Sequence, residues 1–356
     1  VKIAALVRIR RDFWTGRRVL VTGHTGFKGA WLCLWLQSLG AEVTGISRDV
    51  PTEPSLYGLA GVGSAMREVS ADVCDADAIR EAVAAAEPEI LLHLAAQPLV
   101  RRSLRDPAGT YEVNVMGTVN MLEAVRGAGA AARAVVVVTS DKCYANTGDG
   151  GARFREQDPL GGSDPYSSSK ACAELVAAAY RSSLLTDGGP ALATARAGNV
   201  IGGGDWGADR LLADAVRAVE QQRPLKVRNP AAVRPWQHVL GAVGGYLRLC
   251  EVLWEDPAAA RAWNFGPRAD DERPVAWLVE RLAALWGGEL EWVAEEEPGS
   301  PEASHLALDS SAAELELGWE PACDLERALA LLVEWHRAQQ RGEDMRAVSL
   351  AQIASV

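Results

Sequence analysis

The sequence has no long apolar run, no basic block, no internal repeat and no pair of cysteines at C-x-x-C spacing. No stretch approaches the roughly 20 apolar residues that a membrane-spanning helix needs, so no membrane partner is expected. A formal net charge of −11 and a pI near 5.1 offer no footprint for nucleic acid or an anionic lipid surface. An anionic ligand would need local positive groups. The six cysteines, Cys33, Cys74, Cys143, Cys172, Cys250 and Cys323, are scattered along the chain. That argues against a disulfide framework and against a metal site, and for reduced thiols in the cytoplasm. Val1 to Arg10 is too short, and too basic at its far end, to be a signal peptide, and residues 1–12 are read as a loose extension. With 356 residues of 48% hydrophobic composition, the chain has material for a large core in one large or two fused domains.

What is present is an alternation of short apolar strands and helices. Arg18 to Thr22 reads as a buried strand and runs directly into Gly23-His24-Thr25-Gly26-Phe27-Lys28-Gly29. Glycines at that spacing permit a tight turn, close approach of backbone N–H groups to a pyrophosphate, and close packing of the next helix on the sheet. Helix Ala30 to Leu39, the stop Gly40 and strand Glu42 to Ile46 complete a βαβ unit. The end of that second strand reads the adenosine ribose in such units. Here it is Ser47-Arg48-Asp49: the carboxylate suits the free hydroxyls of NAD, whereas Ser47 and Arg48 leave NADP open. Further strands are predicted at Met66 to Ser70 and Ile90 to Ala96. Helices are predicted at Ala76 to Ala86, capped by Asp75, and at Thr110 to Ala130. His93 reads as a core histidine. The repeated alternation predicts an α/β fold with a doubly wound parallel sheet.

Residues 134–170 hold the densest chemistry. The strand Ala134 to Val138 delivers Thr139-Ser140-Asp141-Lys142 to the carboxyl edge of the sheet, where open α/β folds bind ligands. After a Gly-rich loop, Tyr166 and Lys170 stand four apart and share one helix face. Hydroxyl, phenol, carboxyl and ammonium groups at one edge suit the movement of hydrides and protons. A sixth strand is predicted at Ala191 to Ala197, followed by an irregular glycine-rich stretch to Trp206. Amphipathic helices are predicted at Pro274 to Trp286 and Leu325 to Gln339, and Ala294 to Pro298 reads as a solvated loop.

Gly23-x-x-Gly26-x-x-Gly29, Ser140 and Tyr166-x-x-x-Lys170 together resemble the extended short-chain dehydrogenase/reductase family, whose Rossmann-type members modify nucleotide sugars. Several blocks resemble, more narrowly, the CDP-glucose 4,6-dehydratase family: residues 22–32, 51–56, 140–144, 196–206 and 234–239. The related dTDP-glucose dehydratases carry a glutamate where this chain has Lys142. The resemblance implies a lyase that oxidises the sugar at C4, eliminates water across C5 and C6, and returns the hydride to C6. It implies Tyr166 as base at the 4-hydroxyl, with Lys170 lowering its pKa and Ser140 holding the 4-oxygen. Asp141 would assist water loss and Lys142 would be the base at C5. NAD would lie against Gly23, Thr25, Gly26, Phe27, Lys28, Gly29, Asp49, Asp72, Val73, Ala95, Gln97, Asn114, Tyr166 and Lys170.

The nucleotide-sugar substrate would meet Asn199, Arg210, Arg234 and Asn264, with Lys226 as a further cation for a diphosphate. The resemblance also implies a homodimer or homotetramer built on the helices near 110–127 and 165–182. Residues 1–197 are read as the NAD-binding domain and 198–340 as mainly a smaller α/β substrate-binding lobe. Within the latter, 261–267 returns towards the sheet, and 341–356 is read as a tail. The alternatives are a dehydratase or epimerase for another nucleotide sugar, and a nucleotide-sugar-responsive binding protein without turnover. An epimerase needs no acid and base at C5 and C6, so Asp141-Lys142 favours dehydration.

Overall fold

The continuous apolar runs seen in the sequence become the strands of one parallel sheet. In a computed structural model, these are β1 (Arg18–Thr22), β2 (Glu42–Ser47), β3 (Arg67–Ser70), β4 (Ile90–His93), β5 (Ala134–Val138), β6 (Ala191–Ala197) and a last strand at Ala262–Phe265. The structure describes residues 9–127, 131–146, 153–186, 188–288, 290–295 and 306–356. The sheet order is Ala262–Phe265, β6, β5, β4, β1, β2, β3, and every neighbouring pair is parallel. The chain order reverses on either side of β1, which opens a crevice at the carboxyl ends of β1 and β4.

Helices cover both faces, as a parallel sheet requires. On one, Trp31, Leu32 and Leu36 of helix Phe27–Ser38 pack with Val243 and Leu247 of helix Val239–Glu255. On the other, Ile79 and Val83 of helix Ala76–Ala86, Met121 and Val125 of helix Gly117–Gly127, and Ala177 of helix Pro165–Ser183 form a second core. Full burial of one such large aliphatic side chain stabilises by about 1.5–3 kcal/mol. A third core, with Leu212, Val216, Leu278, Leu282, Leu329 and Leu332, joins helices Leu211–Glu220, Val275–Leu285 and Leu325–Gln340 into a smaller lobe beside the sheet's carboxyl edge. Strand Ala262–Phe265 lies in the main sheet beside β6. Helix Val239–Glu255, although it falls in the second half of the chain, packs on that sheet as well.

Four local readings change. Residues 9–12, read as part of a loose extension, are tied to the fold: the Arg10 N–H donates to Glu251 Oε1 at 2.7 Å, and Arg11 opens the short helix Arg11–Trp14. The fourth strand stops at His93 because the Thr22 hydroxyl accepts the N–H groups of Leu94 and Ala95, each at 3.1 Å, and turns the chain. The helix predicted from Thr110 begins at Pro107, capped by the Asp106 carboxylate, and runs through a π-helical turn at Glu112–Met116. The segment after Arg341, read as a tail, forms helix Met345–Ala354. It is fastened by hydrogen bonds from Trp335 Nε1 to Ser349 Oγ (2.9 Å), Gln352 to the Leu331 carbonyl (2.8 Å) and Arg346 to Gln37 (2.7 Å). Among the described residues no helix is long and apolar enough to cross a membrane. Residues 1–8 of the predicted extension, the glycine-rich loop at 147–152, Ala128 to Ala130, and Glu296 to Pro298 of the predicted loop lie outside the described residues.

Candidate active site

The crevice opens into a cavity of ≈ 1680 Å³ between the sheet edge and the smaller lobe. That exceeds the roughly 300–1,000 Å³ of an ordinary small-molecule site and leaves room for two ligands. Its floor is the turn after β1. The backbone there is so close that a Cβ on Gly29 would lie 2.1 Å from the Gly23 carbonyl oxygen, and one on Gly23 would lie 2.9 Å from the Ala95 nitrogen. No side chain caps helix Phe27–Ser38, whose N-cap is Gly26, so its first N–H groups remain open as donors towards the cavity. Beside the turn, Thr25 Oγ1 donates to the Asp49 carbonyl at 2.7 Å, and Arg48 bridges the carboxylates of Asp49 (3.2 Å) and Asp72 (3.0 Å). Open backbone donors next to a carboxylate-lined pocket fit the pyrophosphate and the free ribose hydroxyls of a dinucleotide.

Ser140, Asp141, Lys142, Tyr166 and Lys170 all line this cavity. Ser140, two residues past the end of β5, caps a single 3₁₀ turn at Asp141–Cys143, accepting the Lys142 N–H at 3.2 Å and donating to Asp141 Oδ1 at 2.9 Å. Helix Pro165–Ser183 starts at an Asp164 cap, with Tyr166 in its first turn and Lys170 one turn further. The Tyr166 N–H is held by Ser103 Oγ at 3.1 Å, and Lys170 Nζ donates to the Val138 carbonyl at 3.3 Å. Among the described residues Lys142 makes no ion pair within 4.0 Å. His93 is the core histidine expected, held between Thr22 and Thr118.

Burial dominates the electrostatics of the cluster. It pushes the Tyr166 phenol up to about 12, against the Ser140 hydroxyl and Arg210, with Asp141 and Asp164 adding to the rise. The sequence suggested that Lys170 holds this phenol low. In the ligand-free protein burial outweighs any such help, and the phenol is protonated at neutral pH. Burial lowers Lys170 to about 8, opposed by Glu174. It raises the Asp141 carboxyl, opposed by Lys142, Ser140, Arg234 and Lys28. Lys28 itself is lowered to about 7 by burial, Lys170 and Arg210, and its Nζ donates to the Tyr246 hydroxyl at 3.1 Å.

All but two of the residues singled out from sequence line the cavity; the exceptions are Asn114 and Asn264. Asn114 stands behind the wall, with its amide accepting the Gln97 N–H (2.8 Å) and donating to Ser169 Oγ (2.8 Å). Asn264 is fully buried: its Oδ1 accepts from Tyr144 at 2.7 Å and its Nδ2 donates to the carbonyls of Phe154 and Asp309. Both of its amide hydrogens are engaged within the protein, away from the cavity. Arg210 is paired with Asp205 at 2.7 Å, and Arg234 donates to the Val233 carbonyl at 3.0 Å. Lys226 pairs with Glu295 at 2.8 Å on the rim. The sequence reading missed Arg101, Arg102, Arg105 and Arg228, which also line the cavity and give an acidic chain its local positive groups. The R-R-x-x-R spacing after β4 was the available signal. Among the described residues no cluster of His, Cys, Asp or Glu could hold a metal ion.

Comparison with known proteins agrees with this geometry. The family described as "NAD dependent epimerase/dehydratase family" matches residues 19–266. The chain is 46% identical over 97% of its length, and 98% of the relative's, to a protein from Salmonella typhimurium named CDP-glucose 4,6-dehydratase. It is 30% identical to a dTDP-glucose 4,6-dehydratase of Streptomyces griseus, over 89% of this chain and 93% of that one. Among solved structures it resembles the dTDP-glucose 4,6-dehydratase DesIV of Streptomyces venezuelae with NAD bound, at 25% identity and a TM-score of 0.77, covering 92% of this chain and 99% of that one. The chain belongs to the NAD-dependent epimerase/dehydratase family.

Proposed function

We propose that this protein is an NAD-dependent lyase that dehydrates CDP-glucose to CDP-4-keto-6-deoxyglucose, for deoxysugar biosynthesis. The observation that carries the reading is the convergence of Ser140, Asp141, Lys142, Tyr166 and Lys170 on one cavity wall, above a dinucleotide-type turn. Support for the nucleotide comes from the Salmonella relative, at 46% identity over nearly the whole of both chains. NAD, when bound, would supply a reversible hydride acceptor for the sugar's C4 and C6. The residues of the Gly23–Gly29 turn would hold its pyrophosphate, and Asp49 and Asp72 would hold its adenosine ribose.

The chain's own groups move the protons. Tyr166 takes the proton of the 4-hydroxyl, which requires a further positive charge beside the buried phenol; Lys170 and an oxidised nicotinamide supply it. Ser140 donates a hydrogen bond to the 4-oxygen. A C4 ketone makes the C5 proton acidic, and Lys142 removes it. Asp141, whose carboxyl burial already favours in its protonated form, donates to the departing 6-hydroxyl. Arg210 and Arg234, with Asn199 beside them, hold the sugar and its diphosphate. The smaller lobe within residues 198–340 supplies this half of the site.

We assign the protein to a homodimer in the cytoplasm. Leu175, Tyr111 and Met116 are 59%, 37% and 50% exposed on the helical segments Pro165–Ser183 and Pro107–Gly127, an apolar face that a second copy would cover. All six cysteines are free, which suits a reducing compartment. Incubating the purified protein with CDP-, dTDP-, UDP- and GDP-glucose and weighing the products tests the function. Water loss is expected from CDP-glucose foremost; no product of lower mass from any of the four contradicts the reading.

A further inference from the structure

Behind the wall of the cavity lies a carboxylate to which the proposed mechanism gives no role. Glu174 is 3% exposed and stands one helical turn beyond Lys170. Its Oε1 accepts from Thr139 Oγ1 at 2.5 Å, and its Oε2 accepts from Thr194 Oγ1 and Arg196 Nη2, both at 2.7 Å. Arg196 reaches on to the Tyr144 hydroxyl at 2.8 Å and the Glu156 carbonyl at 2.9 Å. Thr139 immediately precedes Ser140, and Tyr144 immediately follows the 3₁₀ turn that carries Asp141 and Lys142. The network therefore grips the reactive segment at both ends. An apolar group of the same size would fill the space without the cost of burying two charges, so a buried ion pair here is weak evidence of a stabilising role.

We infer that Glu174 is a positioning residue: through Thr139 and Arg196 it fixes the end of β5 that presents Ser140, Asp141 and Lys142. The inference rests on the proposed dehydratase reading for its activity readout. Glu174 does not line the cavity, so it acts only through these neighbours. The charged and titratable groups facing it are Arg196 from β6, Cys143 from the 3₁₀ turn, and Lys170 and Arg181 on its own helix. Those facing Lys170 are Glu174, Cys143, Lys28 and His93. Of these, only the negative charge of Glu174 and the Cys143 thiol oppose the effect of burial on Lys170.

The test is Glu174→Gln, which keeps an acceptor for Thr139 and the packing volume while removing the charge. Misplacing reacting groups by a fraction of an ångström to one ångström costs roughly 10- to 100-fold in kcat, with KM for CDP-glucose and NAD retention unchanged. Lys170 works protonated, so activity is lost as pH rises through its pKa. Removing the neighbouring anion lowers that pKa, and the alkaline limb of the kcat profile moves to lower pH. Glu174→Asp, which keeps the charge, restores the position of the limb without the full rate. NMR titration of Lys170 in ¹³C-lysine-labelled protein reads the same shift without turnover. It therefore separates failure of this inference from failure of the dehydratase reading. A folded Glu174→Gln protein with the native kcat, pH profile and Lys170 titration overturns the inference. Should that variant not fold, Thr139→Val releases one grip on β5 and leaves the Glu174–Arg196 pair intact. A lowered kcat with unchanged KM then supports the positioning role, and a native kcat refutes it.

Discussion

Replacing Asp141 by asparagine separates the two halves of the proposed reaction. The carboxylate is 2% exposed; its Oδ1 accepts from Ser140, and its Oδ2 is buried with no hydrogen-bond partner among the described residues. The Asp141→Asn change preserves the Oδ1 acceptor but cannot give a proton to the leaving 6-hydroxyl. Loss of one general acid is worth about 10²–10⁴ in rate, or about 2.7–5.4 kcal/mol of barrier. Stability moves the other way. Burial raises this carboxyl above its unfolded value, so its contribution is fully present below the unfolded pKa and is lost as pH rises through the folded one. Burial disfavours the ionised carboxyl, so the Asp141→Asn protein, neutral at that position at every pH, should melt no lower than the native one. In single turnover with CDP-glucose, C4 oxidation should still proceed, seen as build-up of reduced-nicotinamide absorbance, while water loss slows. An Asp141→Asn protein forming 4-keto product at the native rate, or one that no longer oxidises C4 although folded, would refute the division of labour.

Three further outcomes follow from the same geometry. Gly29→Ala drives a methyl to 2.1 Å from the Gly23 carbonyl, so the turn must open. A stability loss of about 1–3 kcal/mol by thermal melting, and loss of NAD after gel filtration, are expected. Tyr166→Phe keeps the ring and the backbone bond to Ser103 but removes the proton acceptor, so kcat should fall by about 10²–10⁴ with an unchanged melting temperature. Leu175→Arg, on a side chain that is 59% exposed, should leave the fold intact and convert a dimer to a monomer in sedimentation velocity.

Much of this was readable from the sequence because parallel strands and glycine turns have few alternatives. The run Ala134 to Val138 is buried at every position, and only a sheet covered on both faces does that. The Gly23–Gly29 turn and the Tyr166–Lys170 spacing are local, and their geometry follows from the residues themselves. What could not be read depends on distant partners. Asn264 looks like any polar residue near a strand end until Tyr144, Phe154 and Asp309 close on its amide. The π-turn at Glu112–Met116 has no periodicity of its own, and the bonds from Asn114 to Gln97 and Ser169 accompany it. The end of the chain reads only as a tail because Trp335, Leu331 and Gln37, which anchor its helix, lie elsewhere in sequence. The rise of the Tyr166 phenol is likewise a property of burial, which spacing does not report.

The most direct test of the dehydratase reading follows one atom. With CDP-glucose carrying deuterium at C4, a closed cycle of oxidation, elimination and hydride return must place that deuterium at C6 of the 4-keto-6-deoxy product. Its appearance at C6, read by mass spectrometry and NMR, is the result the account predicts. Deuterium retained at C4 of an epimerised sugar, or lost to water, would contradict it.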